Sequence, residues 1–287
     1  MRDRARTSRA PLQAVEVDLP ARREDEATAV LWEHGTAGIE VRPGRRGRLT
    51  LLAYFPRTRG LAARLRAALS GLGAQVVPMA VPRVDWVARF RDGFRPFTVG
   101  GFAVVPRWLA RKGGRDPRTL IVDPGRAFGT GTHESTRLCL TALEALAAEA
   151  PLGAVADLGA GTGILSIAAL RLGARRADAV EIDPEAVASA RLHARLNHVR
   201  PRILEGDLAG PLRAGAYDTV LANLVASLHV NRQDEIVALG RPRARYVLSG
   251  LLKGNLPLIR RRYGPLGRLS VHSRGEWAAV VVHREGP

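Results

Sequence analysis

The stretch VADLGAGTGIL carries glycines at three alternate positions, Gly159, Gly161 and Gly163, between an apolar run and a helical pattern. The run at 154–158 contains Asp157. Beyond the glycines, Ile164, Leu165, Ile167, Ala168, Leu170 and Leu172 recur at helical spacing up to Gly173. The glycines therefore occupy a strand-to-helix turn, where helix N–H groups face a ligand and a backbone without side chains lets it lie close. Dinucleotide sites use G-x-G-x-x-G, with glycine in the sixth place. Here the sixth residue is Ile164, which argues against NAD or FAD. A second predicted strand at 177–182 ends in VEIDP and puts Glu181 22 residues beyond Gly159. A carboxylate at that point can accept both hydrogen bonds of a ribose diol. The competing role for Glu181 and Asp183 is to start the helix after Pro184, where negative charge is favoured.

Two further stretches flank this turn. In DPGRAFGTGTHEST, Gly125, Gly129 and Gly131 make 123–133 a flexible loop able to fold over a ligand, with the Ser135 and Thr136 hydroxyls as donors at a helix start. The plainer reading makes Thr132 or Ser135 the cap of that helix. His133 has no companion His or carboxylate at ligand spacing, so no metal site is expected. In YDTVLANLVASLHV, a strand at 218–221 delivers Asn223 to the carboxyl edge of a sheet, where open α/β folds bind ligands. Its amide both accepts and donates; taken alone, it is a turn-capping asparagine.

The elements that must position these residues fall into two predicted domains. Residues 1–11 are Arg-rich and apolar-poor, the pattern of a disordered tail or of a very short targeting segment. Residues 12–82 read as β-α-β-β-α-β, the ferredoxin-like order, with no catalytic constellation of their own. Residues 83–100 interleave Trp86, Phe90, Phe94 and Phe97 with charges and read as a linker whose aromatic side chains pack on a domain. From 101 to 287 strands and helices alternate to the end, which predicts a doubly wound sheet.

At 287 residues and 46% hydrophobic content the chain can bury one large or two modest cores. No apolar run reaches membrane-spanning length, and there is no apolar secretory signal. The single cysteine, Cys139, excludes a disulfide framework and points to a reducing, cytoplasmic setting. The net charge is +17, almost all of it arginine, since Lys112 and Lys253 are the only lysines. Such a surface permits contact with RNA, ribosomes or acidic proteins. No stretch has the make-up of a dedicated nucleic-acid-binding module.

In this order, DPGRAFGTGTH, DLGAGTG, VEIDP, LANL and the late GEWAAVVVHR resemble the PrmA family of bacterial lysine methyltransferases, which modify large-subunit ribosomal protein L11. The glycine turn by itself is shared by class I methyltransferases that use S-adenosylmethionine; the AFGTGTH loop joined to ANL is the more specific pairing. The resemblance implies a Rossmann-like class I methyltransferase fold preceded by a small ferredoxin-like domain that recognises the protein substrate. It also implies S-adenosylmethionine as cofactor, with Gly159, Gly161 and Gly163 against its methionine part. Glu181 would take the ribose hydroxyls and Asp207 the adenine, with further contacts from Phe128, Thr130, Thr136, Asp157 and Asn223. Asn223 and the Leu224 carbonyl would orient the amine, with His133, His229 or bulk water alone as the route for its proton. The chain departs from the family where Glu181 replaces the usual Asp and Ala160-Gly161-Thr162 replaces a frequent Cys-Gly-Ser; both keep the chemistry. The expected partner is L11, with lysine amines as targets and the N-terminal amine as a further candidate, no membrane, and a monomeric enzyme.

Three other classes compete. Nucleic-acid and glutamine methyltransferases carry Asn/Asp-Pro-Pro-aromatic at this position to stack on a planar target, whereas this chain reads Asn223-Leu224-Val225-Ala226. A lysine methyltransferase acting on an electron-transfer flavoprotein subunit is the nearer alternative. A non-enzymatic RNA-binding module explains the charge but not the glycine, acid and asparagine spacing.

Overall fold

The computed structural model describes residues 12–44, 47–79, 94–110, 116–123 and 131–286. Two compact units divide the chain, one within 1–84 and the other within 85–287.

In the first unit β1 (Leu12–Pro20), α1 (Glu24–Glu33), β2 (Gly38–Pro43), β3 (Arg48–Pro56), α2 (Leu61–Ala68) and β4 (Gln75–Met79) follow the predicted order. The strands form an antiparallel sheet in the order β2-β3-β1-β4, the ferredoxin-like arrangement. Alternation along β1 and β3 sends Val15, Val17, Leu19, Leu51, Ala53 and Phe55 to one face. There they join Leu31 of α1 and Leu65 of α2 in one core.

The second unit begins with a small sheet of β5 (Phe97–Val99), β6 (Phe102–Pro106) and β7 (Thr119–Val122). Its main sheet orders β8 (Ala154–Leu158), β9 (Arg176–Glu181), β10 (Arg202–Glu205), β11 (Tyr217–Asn223), β12 (Gly240–Leu252), β13 (Gly267–Arg274) and β14 (Trp277–Arg284) as β10-β9-β8-β11-β12-β14-β13. The five strands β10 to β12 of that order pair in parallel. The chain does not alternate strand and helix to its end, as the sequence suggested. Strand β14 runs antiparallel to both β12 and β13, because a short turn at Gly275 returns it directly.

Among the described residues the α-helices of this unit are α3 (Glu134–Glu149), α4 (Ile164–Arg171), α5 (Pro184–Leu196), α6 (Ala226–Asn231), α7 (Gln233–Ala238) and α8 (Leu256–Tyr263). Two buried clusters lie on opposite faces of the main sheet. Val155, Leu221, Val247 and Val281 belong to one, with α3 and α4. Ala154, Ala156, Val220, Leu248 and Val280 belong to the other, with Ile236, Ile259 and Tyr263. That period-two split is what a sheet covered on both sides requires.

Of the predicted linker aromatics, Phe94 is buried against Phe97 and Trp108, with ring centroids 6.0 and 6.4 Å apart. Trp86 and Phe90 lie outside the described residues. Cys139 is buried on α3, and burial pushes its thiol up to about 12, so it behaves as a small hydrophobe.

Candidate active site

Parallel strands β8, β9 and β11 end at one edge of the sheet, and the glycine turn, Glu181 and Asn223 follow from those three ends. In the turn, Gly159, Gly161 and Gly163 all adopt positive φ, at 65°, 55° and 72°, which a side chain would strain. A Cβ on Gly159 would stand 2.6 Å from the Leu224 side chain, so the turn and the residue after Asn223 are in contact.

Glu181 does not act as the helix cap. That task belongs to Asp183, whose side chain accepts from Glu185 N at 2.9 Å. The Glu181 carboxylate turns instead towards the glycines. Its Oε2 accepts from Gly161 N at 2.8 Å, and its Oε1 accepts from Ile182 N and Asp183 N at 2.8 and 3.0 Å. An acid and the glycine backbone thus form one rim. Asp157 lies beneath it, fully buried. Its Oδ2 accepts from Ser166 N at 3.0 Å and from the Ser166 hydroxyl at 2.8 Å, tying β8 to α4. Burial raises its carboxyl to about 6, against the pull of those two hydrogen bonds.

Asn223 ends β11, and its Nδ2 donates to the Thr136 hydroxyl at 3.3 Å. That joins it to the first turn of α3 and leaves Oδ1 as the end that accepts. The cap of α3 is neither Thr132 nor Ser135. His133 takes the position, its Nδ1 accepting from Ser135 N, and its ring meets Trp277 edge-on at 4.5 Å. Thr136 is buried. Asp207 is exposed, and its carboxylate pairs with Arg232 at 3.0 Å. Phe128 and Thr130 lie outside the described residues.

His229 was expected as a route for a proton, and its surroundings deny it that role. The ring is fully buried, its Nε2 donates to the Ser249 carbonyl at 2.8 Å, and burial drops it to about 4. A group that stays neutral and out of reach of water does not relay. What sequence reasoning missed is the pair behind it, Ser249 and Gly250. The Ser249 carbonyl also accepts from Leu224 N at 3.0 Å, and its hydroxyl donates to the Ser135 carbonyl at 3.1 Å. Gly250, with φ 80°, lies so near Leu224 that a Cβ would stand 2.8 Å from the Leu224 carbonyl carbon. The available signal was a glycine within an apolar strand, which marks close backbone approach.

A cavity of about 1070 Å³ opens at the opposite edge of the sheet, lined by arginines including Arg241, Arg245 and Arg284. These are engaged structurally. Arg241 pairs with Asp218 at 3.0 Å, Arg245 donates to the carbonyls of Leu146 in α3 and of Pro151 beyond it, and Arg284 donates to the Gly240 carbonyl.

The strand order, the antiparallel β14 inserted near one edge, the glycine turn after β8 and the acid closing β9 together define a class I methyltransferase fold. The family model described as ribosomal protein L11 methyltransferase (PrmA) matches residues 12–285. The chain belongs to that family. It is 39% identical over 203 residues to the ribosomal protein L11 methyltransferase of Thermus thermophilus, across 70% of this chain and 78% of that one. It is 37% identical over 254 residues to that of Pelobacter propionicus, across 82% of each. A crystal structure of the ribosomal protein L11 methylase from Lactobacillus delbrueckii subsp. bulgaricus is similar with a TM-score of 0.60 at 26% identity. The match covers 67% of this chain and 100% of that one.

Proposed function

We propose that this chain transfers methyl groups from S-adenosylmethionine to amines of ribosomal protein L11, lysine side chains foremost. The carrying observation is the contact between the two turns, Leu224 lying directly on Gly159. A cofactor seated on the glycines therefore adjoins the Asn223–Leu224 carbonyls. The residues fit the cofactor: a side-chain-free backbone at Gly159, Gly161 and Gly163, and beside it the Glu181 carboxylate for a diol. Asp157 braces this rim through Ser166. Thr136 serves it through Asn223. Phe128, Thr130 and Asp207 complete the proposed set, Asp207 only by exchanging its Arg232 partner for the adenine.

Bound S-adenosylmethionine supplies an already activated methyl group, so the protein's task is alignment and presentation of a neutral amine. A lysine with a pKa near 10.4 costs roughly 4–5 kcal/mol to deprotonate at neutral pH. A partly desolvated pocket beside a cationic sulfonium lowers that cost. Asn223 Oδ1 and the Leu224 carbonyl then accept from the amine and aim its lone pair. The unit at 12–82 has no chemistry of its own and is proposed to hold L11. The linker proposed at 83–100 joins it to the catalytic unit, which takes in Phe94 and β5 ahead of residue 101. The enzyme is proposed to act as a cytoplasmic monomer, without metal.

The test is intact-mass analysis of L11 after incubation with enzyme and isotope-labelled S-adenosylmethionine, alongside an electron-transfer flavoprotein subunit. Labelled methyl groups on L11 alone are expected. Labelling of the flavoprotein subunit alone would overturn the substrate assignment.

A further inference from the structure

We infer that His229 is a positioning residue for methyl transfer, holding the Leu224 carbonyl in place through the Ser249 carbonyl; this rests on the reading of Asn223 and Leu224 as the amine acceptors. The parallel ladder between β11 and β12 runs to the pair Asn223–Ser249, and Leu224 N adds one more bond to the Ser249 carbonyl at 3.0 Å. Past that point the chain leaves the sheet for α6, and nothing in regular strand pairing holds the Leu224–Val225 peptide. His229, one turn into α6, reaches back. Its Nε2–H gives the Ser249 carbonyl a second donor at 2.8 Å, and the Leu224 backbone carbonyl also bears on the ring. The ring is fully buried and its backbone carbonyl is held by the Tyr263 hydroxyl at 2.9 Å, so the imidazole has little freedom to swing.

The node it anchors is shared. The same serine donates its hydroxyl to the Ser135 carbonyl, one residue before the Thr136 that holds Asn223. Gly250 closes the other side, its backbone leaving no room for a Cβ beside the Leu224 carbonyl carbon. Leu224 is thus gripped from three directions: Gly159 under its side chain, Ser249 on its N–H, and Gly250 against its carbonyl. The imidazole fixes the middle grip. A carbonyl that must meet an amine in one orientation is sensitive to such support, because small misplacements of a nucleophile are expensive in rate.

The alternative, that His229 is only core filling, makes a different demand on the side chain. A filler needs volume, whereas a positioning residue needs a donor at the Nε2 position. His229→Gln carries an amide N–H to about that place; His229→Asn, equally polar, falls short of it. With the full chain, L11 and S-adenosylmethionine, kcat of the Asn variant is expected to fall about tenfold with KM for L11 and cofactor Kd within twofold. The Gln variant is expected to recover to within about threefold of the parent. Hydrogen–deuterium exchange without substrate gives an independent readout. The Leu224 amide is expected to exchange at least tenfold faster in the Asn variant and near the parental rate in the Gln variant. Equal kcat in the two variants, or a Leu224 amide equally protected in both, would overturn the inference. If the parent enzyme fails to methylate L11, the substrate reading falls, and the exchange experiment still decides whether His229 holds Leu224.

Discussion

At Glu181 one carboxylate collects three backbone N–H groups, one of them from the glycine turn. It therefore shapes the rim as well as offering charge to a ligand. Glu181→Ala is expected to weaken S-adenosylmethionine binding by about 1–3 kcal/mol, the scale of losing hydrogen bonds to a charged group. Calorimetry reads this directly, and an unchanged affinity would reduce Glu181 to a brace. Asn223 makes the opposite forecast. Its contact with the amine matters most at the aligned transition state, so Asn223→Ala is expected to lower turnover on the order of a hundredfold while cofactor affinity moves less. Single-turnover methylation with the folded fraction measured alongside separates this from loss of a turn cap, which would cost about 1 kcal/mol of stability and leave the rate per folded molecule intact.

Among the elements, α5 does more than follow Glu181. Just past its end, the Asn197 side chain imitates a strand: Oδ1 accepts from Ile121 N and Nδ2 donates to the Ile121 carbonyl, both at 2.7 Å. His193 Nε2 accepts from Asp123 N at 2.9 Å. The open edge of β7 is thereby closed by side chains of a helix. Asn197→Ala is expected to cost about 2–3 kcal/mol in denaturant unfolding, since it strands both backbone groups. A second element-level forecast concerns acid. Folded His229, at about 4, refuses a proton that the unfolded chain accepts below 6.5, so stability is lost as pH falls from 6.5 to 4. Folded Asp157, at about 6, keeps a proton that the unfolded chain releases down to 3.8, so stability is gained as pH falls from 6 to 3.8. Each shift is worth roughly 3 kcal/mol, and the two nearly cancel. Asp157→Asn removes the gain alone. Relative to the parent, its urea stability is expected to drop about 2 kcal/mol more between pH 7 and 4.5; parallel profiles would show that Asp157 is not held protonated.

For the whole molecule, chemistry and recognition are expected to separate. The unit within 1–84 has its own hydrophobic core, and the residues proposed to bind cofactor all lie in the other unit. Removal of residues 1–82 is expected to leave S-adenosylmethionine binding measurable and to abolish L11 methylation. Full-rate methylation by the truncated enzyme would refute the docking role.

The sequence by itself determined what depends on short spacing. Gly159, Gly161 and Gly163 sit within five residues between a strand and a helix, and the acid and the asparagine each close a strand, so local periodicity sufficed to find all three. It determined the ferredoxin-like order for the same reason, because each element there is signalled by its own pattern. Only the tertiary structure decided what those side chains do to one another. Whether Glu181 starts a helix or joins the glycine rim depends on a hydrogen bond across 20 residues, and Asn223 meets Thr136 across 87. By sequence His229 is one of several routes for a proton, whereas burial and the Ser249 carbonyl make it a fixed donor. Ser249 and Gly250 read as two ordinary strand residues. Their role exists only because β11 and β12, which no local pattern pairs, lie side by side at the edge where the chain turns.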